Sequence, residues 1–316
     1  MTLKQLTYFL AIANEGSFLK AAQTVFVAQS ALSHQMSLLE EELGSSLFHR
    51  TKRGVSLTQA GELLQAHARS ILRQVDDAKS SIASLSDTPA GRVIVGIPHS
   101  VSNALALPLY QRIQAEMPRI ELELTEELTG NLVRQLHAGQ LHMAVLFDDG
   151  TLDELEVKPL ISERLSVIAP TKHAAIAANR RSLSLQEALG LPLILPAKPH
   201  GVRPIIEQAA HVAGLGLPNV VADISSISIL RTSLLAGMGC TLLPVMPLVS
   251  DIDQGNLRAV KLHQPVIERT VCLCRSAHNP SSVAAKQVWQ ATVSLIQELC
   301  MQKRWRDTTL VPDSTE

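Results

Sequence analysis

Between positions 29 and 37 the chain carries Gln29, Ser30, Ser33, His34, Gln35 and Ser37. At helical spacing most of these share one face, with Gln35 beside it. All can form hydrogen bonds and none is negatively charged. Glutamine pairs bidentately with adenine, and serine reads a base edge or a phosphate. Further on, Arg50, Lys52 and Arg53 sit at the tip of a short segment with apolar ends, Leu47-Phe48 and Val55-Ser56-Leu57. Such a tip suits phosphates or the minor groove. Glu40-Glu41-Glu42 fall where a helix laid in a groove would leave it. Residues 1–58 hold five Lys+Arg and four Asp+Glu, so their charge argues little and its distribution argues more. The competing reading is a small helical interaction module with an ordinary solvated face.

A second group of residues suits a small ligand. Pro98-His99-Ser100-Val101-Ser102-Asn103 follows an apolar run and opens a helix. Backbone N–H groups and hydroxyls at a helix N-terminus favour an anion. Ligands of open α/β sheets bind outside the carboxyl ends of the strands. Thr129 begins another helix, and residues 199–203 a third. There His200 or Arg203 would neutralise a carboxylate, or would be a surface histidine and a solvated arginine. Ser225 and Ser226 follow the run 220–224 and are candidates to line the same crevice. Asp148, with Asp149 after it, would accept from an amine or hydroxyl, or cap a turn.

Enzyme chemistry is poorly represented. There is no G-x-G-x-x-G, phosphate-loop lysine, G-x-S-x-G or H-E-x-x-H pattern among the 11 histidines and 16 glycines. Gly214-Leu215-Gly216 precedes Pro218 and reads as a turn. The four cysteines (Cys240, Cys272, Cys274, Cys300) form no C-x-x-C pair. Cys272 and Cys274 alternate with Val271 and Leu273, the pattern of two thiols buried on one strand face. No catalytic residue, metal site or cofactor is expected.

The elements that must position these residues follow from periodicity. Leu3, Leu6, Phe9, Leu10 and Ala13 recur at helical spacing, and Glu15-Gly16-Ser17 ends that helix. Ala21, Ala22 and Val25 mark a second helix. Leu32, Met36, Leu39 and Leu43 mark a third, which Gly44 stops. The segment 47–57 reads as a small hairpin. Tyr8, Phe9, Phe18, Phe26 and Phe48 are five of the nine aromatics, and they are expected to build this small core. After Thr58, a good N-cap, Leu64, Ala68, Ile71, Val75, Ala78, Ile82 and Leu85 recur at steps of four and three. That is a coiled-coil seam, and it implies a second copy of the chain; packing on its own domain is the alternative.

From Arg92 onward short apolar runs alternate with helical ones, which predicts parallel α/β sheets in two lobes. The expected strands are 93–97, 120–124, 143–147, 166–169, 193–195, 220–224, 241–243 and 271–274. The expected division is a domain at 1–58 and a linker and dimerisation helix at 59–88. A two-lobed domain follows at 92–303, with lobe one at 92–163 plus 268–303 and lobe two at 164–267. Residues 305–316 are expected to form a flexible tail. The chain has 316 residues, is 46% hydrophobic and carries net charge −1, so a uniform basic coat is excluded. The N-terminal stretch has helical spacing and no signal-peptide pattern, and no run of ~18 apolar residues exists. A cytoplasmic chain without membrane contact is expected.

Residues 21–64 resemble the N-terminal signature of LysR-type transcriptional regulators. The matching pieces are Ala21-Ala22, Gln29, Ala31-x-Ser33, Leu39-Glu40, Leu43-Gly44, Leu47-Phe48-x-Arg50, Arg53 and Leu57-Thr58-x-Ala60-Gly61. Ser30 stands where the family usually has proline. RTKRGV (50–55), HARSILRQ (67–74) and LAGMGCTLLP (235–244) point to the nitrogen-assimilation and cysteine-regulator branch. The resemblance spans the whole chain. It implies a winged helix-turn-helix, a dimerising linker helix and a two-lobed α/β domain like a periplasmic binding protein. It further implies double-stranded DNA with an interrupted inverted repeat as partner, a homodimer or homotetramer, RNA polymerase as a further partner, and a small effector held by Ser100 and Ser102. The alternative is a solute-binding protein or α/β enzyme with an N-terminal oligomerisation arm.

Overall fold

Thr2 accepts the backbone N–H of Gln5 while its own N–H donates to Gln5 Oε1, so α1 (Leu3–Glu15) opens with a capping box. Gly16 ends it at φ 61°, a left-handed conformation that suits glycine. Ser17 caps α2 (Phe18–Thr24), and α3 (Gln29–Leu43) follows the turn. The computed structural model describes residues 1–51, 54–83, 89–148, 150, 152–173, 176–177, 179–197, 201–277 and 281–312.

Leu6, Phe9, Ile12, Leu32, Met36 and Leu39 form the centre of the N-terminal core. Phe9 and Phe18 both pack on Phe48, with ring centroids 5.2 and 5.7 Å away. Phe26 does not join them. It is 93% exposed, and the tight turn between α2 and α3 holds it at φ 55°, which turns its ring to solvent. The hairpin pairs β1 (Phe48–Thr51) with β2 (Gly54–Leu57).

Thr58 caps α4 (Gln59–Ala83): its Oγ accepts from the Gly61 N–H at 3.0 Å and donates to the Ser46 carbonyl at 2.7 Å. The heptad stripe on this helix divides in two. Leu64 and Ala68 are buried in the N-terminal core, and Ile71 packs against it. Val75 is half-buried, Ala78 is exposed and Ile82 is 71% exposed. Only the second half of the expected seam is therefore open to a partner, because the first half seats the helix on its own domain. Leu85 lies outside the described residues.

The remaining elements run β3 (Gly91–Pro98), α5 (His99–Glu116), β4 (Ile120–Glu127), α6 (Thr129–His137), β5 (Met143–Asp148) and β6 (Leu155–Arg164). Next come β7 (Ser166–Pro170), β8 (Ser182–Ser184), α7 (Leu185–Leu189), β9 (Leu193–Leu195), α8 (Arg203–Val212), β10 (Val220–Asp223) and α9 (Ile227–Leu235). The chain closes with β11 (Thr241–Leu243), α10 (Val249–Asp253), β12 (Leu257–His263), β13 (Glu268–Ser276), α11 (Val283–Met301) and β14 (Thr308–Leu310).

One sheet has the order β14-β6-β13-β5-β3-β4 and another β11-β7-β12-β8. The parallel pair β9 and β10 joins the second through a bridge from Leu193 to Cys240. The sheets are mixed, not parallel throughout. β13 runs antiparallel to β5 and β6, and β7 antiparallel to β11 and β12. The chain passes between the sheets at β6–β7 and returns at β12–β13, and the returning strand enters reversed. On β13, Val271 and Leu273 face the core shared with α5 and α11, while Cys272 and Cys274 face the core under α6.

The expected loose tail from residue 305 is absent as far as residue 312. Trp305 is buried, and β14 pairs with β6 from Thr308–Glu163 to Leu310–Ile161. An indole removed from water and three strand residues anchor this segment. No described helix is long and apolar enough to cross a membrane.

A Cβ on Gly61 would stand 2.2 Å from the Leu47 carbonyl oxygen, a contact that backbone must move to relieve. In a helix, Gly→Ala normally stabilises by about 1 kcal/mol. Gly61→Ala is expected instead to destabilise the N-terminal domain by about 2–3 kcal/mol, seen as a lowered Tm of its unfolding transition; an unchanged or raised Tm would contradict this packing.

Candidate functional site

The first site is the outer face of α3. Gln29, Ser30, His34 and Ser37 are exposed, and Ser33 and Gln35 are half-buried. Ser37 Oγ donates to the Ser33 carbonyl at 3.1 Å, so this hydroxyl is partly engaged by its own helix. Ser30 lies inside the first turn, because the N-cap is Ala28. Alanine has no capping side chain, which leaves the first-turn N–H groups to an outside acceptor.

Arg50 is half-exposed, with its guanidinium 4.5 Å from the Phe18 ring centroid and 3.7 Å from the Glu40 carboxylate. It braces the hairpin as well as facing outward. Glu40 accepts from the backbone N–H groups of Leu47 at 2.7 Å and Phe48 at 3.4 Å, so it ties α3 to the hairpin. Lys52 and Arg53 lie outside the described residues. The reading of the sequence missed Phe26, whose exposed ring stands just before α3; the signal available was its place in the turn.

The second site is a small cavity of about 50 Å³ between the two sheets. Ser100, Thr129 and Ser225 line it, as expected. So do Pro98, Leu128 and Val202, the N-caps of α5, α6 and α8, none of which has a capping side-chain bond. The start of α9, also at the cavity, is capped by Ser226, as α1 and α11 are by Thr2 and Ser282. Three uncapped helix starts therefore meet at one cavity, each carrying the positive end of a helix dipole.

A cation meets them there. Arg269 lines the cavity, stacks 3.6 Å from the Phe147 centroid and donates from Nη2 to Ser100 Oγ at 3.0 Å. Its Nε and Nη2 lie 2.8 and 2.7 Å from Glu163 Oε2. Burial pulls the Arg269 pKa down from the usual arginine range, and the Glu163 carboxylate opposes the shift. Among the described residues no partner is seen for Arg269 Nη1. Glu127 supplies an acceptor on the same wall and takes an N–H from Asn131 at 2.8 Å. Arg269 was not foreseen, since it lies far along the chain from Ser100; the only cue was a lone arginine before the apolar run Val271–Cys274.

The other expected residues stand elsewhere. Ser102 donates to Glu126 at 2.6 Å and to the His99 carbonyl at 3.1 Å, and with Ser226 it lines a neighbouring groove. Ser226 also caps α9. Arg203 folds back onto Glu207 at 2.7 Å and Asp223 at 2.9 Å and does not line the cavity, because two carboxylates within reach hold it outside. Asp148 is exposed at the end of β5 and accepts from the Gly150 N–H at 3.2 Å, so it shapes a turn. His200 lies outside the described residues.

A hydrogen-bond chain joins α4 to the two-lobed body. Ile94 N–H donates to His142 Nδ1 at 2.9 Å, so the ring proton lies on Nε2, which is 3.0 Å from Asp77 Oδ1. Arg73 donates to the other Asp77 oxygen at 2.8 Å and to the Gly139 carbonyl. Ile94 belongs to β3, the strand that ends at Pro98 beside the cavity.

Residues 3–62 match the bacterial regulatory helix-turn-helix protein, lysR family, and residues 86–295 match the LysR substrate binding domain. The chain belongs to the LysR family of transcriptional regulators. The nitrogen assimilation regulatory protein nac of Klebsiella aerogenes is 32% identical, over 96% of this regulator and 98% of the relative. A hydrogen peroxide-inducible genes activator of Pectobacterium carotovorum is 29% identical over 89% and 92% of the two chains. Full-length OxyR from Pseudomonas aeruginosa shares the fold with TM-score 0.74 at 24% identity, over 100% and 99% of the chains. CbnR, solved in complex with its target DNA, shares it with TM-score 0.70 at 20% identity, over 94% and 99%.

The regulator's own thiols are poorly suited to redox chemistry. All four cysteines are buried and free. Burial raises the Cys240 pKa to about 11 and the Cys272 pKa to about 12, and pushes that of Cys274 further the same way. A neutral thiol is a weak nucleophile. Among the described residues no cluster of His, Cys, Asp or Glu is placed to hold a metal. Ellman's reagent at neutral pH should leave these three thiols unmodified until the protein unfolds; rapid labelling of the native protein would contradict their burial. A folded pKa above the unfolded value means stability present below about pH 9 and lost as pH rises toward 11–12.

Proposed function

We propose that this regulator reads an interrupted inverted repeat through α3 of two paired chains, and that a small carboxylate in the interlobe cavity resets their geometry. In this reading residues 1–58 form the DNA head, 59–88 the pairing helix and 92–303 the sensing domain, and the protein acts by binding and not by catalysis. The observation that carries the effector reading is the meeting of three uncapped helix starts with the Arg269 guanidinium. Each favours negative charge, and together they favour it in one place. Glu127 on the same wall suits a hydroxyl or amine at the ligand's other end. A cavity of about 50 Å³ has room for only a few water-sized groups, so the ligand is small or the lobes part to admit it.

The DNA reading uses the same device at larger scale. The uncapped start of α3 suits a backbone phosphate, and Gln29, Ser30, Ser33, His34, Gln35 and Ser37 present the polar face beside it. Arg50, Lys52 and Arg53 contribute phosphate contacts from the hairpin. Phe26 offers an apolar contact to a thymine methyl or a sugar. Ile82, with Ala78 and Val75, supplies the pairing surface on α4. Through that surface the chain forms a homodimer, or a homotetramer as a pair of dimers, and RNA polymerase is the further partner through which bound DNA is acted upon. An effector shifts the assembly only by as much as it binds one geometry better than the other. The path lies along β3 to Ile94, His142, Asp77 and the linker helix.

Selection of genomic fragments by the purified protein, followed by sequencing, tests the DNA reading: a few upstream regions sharing an inverted repeat are expected. Gln29→Ala should relax preference at one base by about 1–3 kcal/mol. Phe26→Ala should weaken binding by about 1–2 kcal/mol without lowering the Tm, because the ring is exposed. Ile82→Asp should leave a folded monomer by light scattering, since pairing would bury a charge; a surviving dimer would move the seam elsewhere. Thermal shift against a panel of small hydroxy- and amino-carboxylates tests the cavity. At least one should raise the Tm of the wild type and not of Ser100→Ala, and a panel without effect would reject the carboxylate reading.

A further inference from the structure

The matched substrate-binding domain ends at residue 295, yet Trp305 is one of the largest fully buried side chains. Its indole Nε1–H donates to Glu163 Oε1 at 2.6 Å. Glu163 gives its other oxygen, Oε2, to both Nε and Nη2 of Arg269. Arg269 Nη2 then reaches Ser100 Oγ at the cavity. The segment that holds the indole is tied to both sheets. Arg164 N–H donates to the Asp307 carbonyl and Val311 N–H to the Leu160 carbonyl, both on β6. Arg306 pairs bidentately with Asp253 on α10, at 2.6 and 2.9 Å, and Lys261 on β12 lies 3.7 Å from Asp307.

We propose that this C-terminal strap, residues 305–311, belongs to the effector site, with Trp305 as the positioning residue that sets the aim of Arg269. The reason is competition for two carboxylate oxygens. A guanidinium facing a free carboxylate takes both oxygens in a parallel fork. Trp305 holds Oε1 toward the strap, and both Arg269 contacts fall on Oε2. That arrangement leaves a proton of Nη2 aimed at Ser100, while Nη1 takes no part in the Glu163 contact and faces a ligand. Without the indole N–H, the fork closes on both oxygens and the guanidinium turns away from Ser100. The charge stays buried and paired in either case, so the change concerns aim more than stability. The inference rests on the reading of the cavity as a carboxylate site, and the experiment separates the two.

The test uses the full-length protein labelled with 5-fluorotryptophan, whose two ¹⁹F signals (Trp289 and Trp305) are assigned with Trp289→Phe. Among the described residues, the hydrogen bonds that join Ser100 to Trp305 run through Arg269 and Glu163. Ser100→Ala should therefore shift the Trp305 signal and leave that of Trp289 in place; a Trp305 signal unmoved by Ser100→Ala overturns the proposal. Acetate is then titrated against chloride at matched ionic strength. A shift of the Trp305 signal is expected, with an apparent Kd raised roughly tenfold when followed by thermal shift in Trp305→Phe. An unchanged Kd in Trp305→Phe, with Ser100→Ala abolishing binding, overturns the strap's role and spares the carboxylate reading. A Trp305 signal that answers Ser100→Ala but not acetate supports the strap and rejects acetate-type anions as the ligand.

Discussion

Arg269 and Glu163 are both withdrawn from water, and much of the two-lobed body is arranged around that fact. A buried ion pair does little for stability by itself, since apolar replacements of similar volume are often neutral or better, whereas breaking one costs about 3–5 kcal/mol. Every oxygen of the carboxylate must therefore be satisfied. Here that requires β6 for Glu163, β13 for Arg269, the strap for Trp305 and the start of α5 for Ser100. Four segments distant in sequence are fixed relative to one another by the geometry of a single pair. A cationic group is thereby held at the cavity in a place from which it cannot swing into solvent.

The helix starts show the same electrostatic economy. Several helices open with a threonine or serine that satisfies the first turn, as at Thr2, Thr58, Ser226 and Ser282. Three of the helix starts at the cavity and that of α3 have proline, leucine, valine or alanine as N-cap, as α10 has Leu248. Omitting a cap costs about 1 kcal/mol per helix. In the proposed reading, one sequence device would serve a phosphate backbone at one end of the chain and a small anion at the other.

The N-terminal domain was the most legible part of the sequence. Its helices are short, strongly periodic and punctuated by Gly16, Ser17 and Gly44, so local pattern and tertiary structure agree. The α4 stripe was legible as apolar periodicity but not in its use, because the same spacing serves both a core and a seam. Phe26 was misread since composition places aromatics inside and only the turn's left-handed backbone turns it out. In the body, β6 and β12 were missed because they are half-exposed and mix charge with apolar residues, and reversal of the returning strands leaves no local mark. The cavity was half visible: Ser100, Thr129 and Ser225 follow strand ends, whereas Arg269 is brought there, with Trp305 behind Glu163, by long-range pairing that no local pattern encodes.

What makes the molecule a switch in this account is the connection between its two anion-facing ends. β3 runs from Ile94, bonded to His142, to Pro98 at the cavity, and His142 holds Asp77 on the linker helix. In the proposed reading, a change in cavity occupancy reaches through this chain the helix that would set the spacing of two DNA heads. The direct measurement is the end-to-end distance of a selected operator fragment by fluorescence resonance energy transfer, bound to the full-length protein, with and without a stabilising carboxylate. The account predicts a change in distance with ligand that is lost in Asp77→Ala while DNA and ligand binding persist. An operator whose bend is the same with the cavity empty and filled would contradict it.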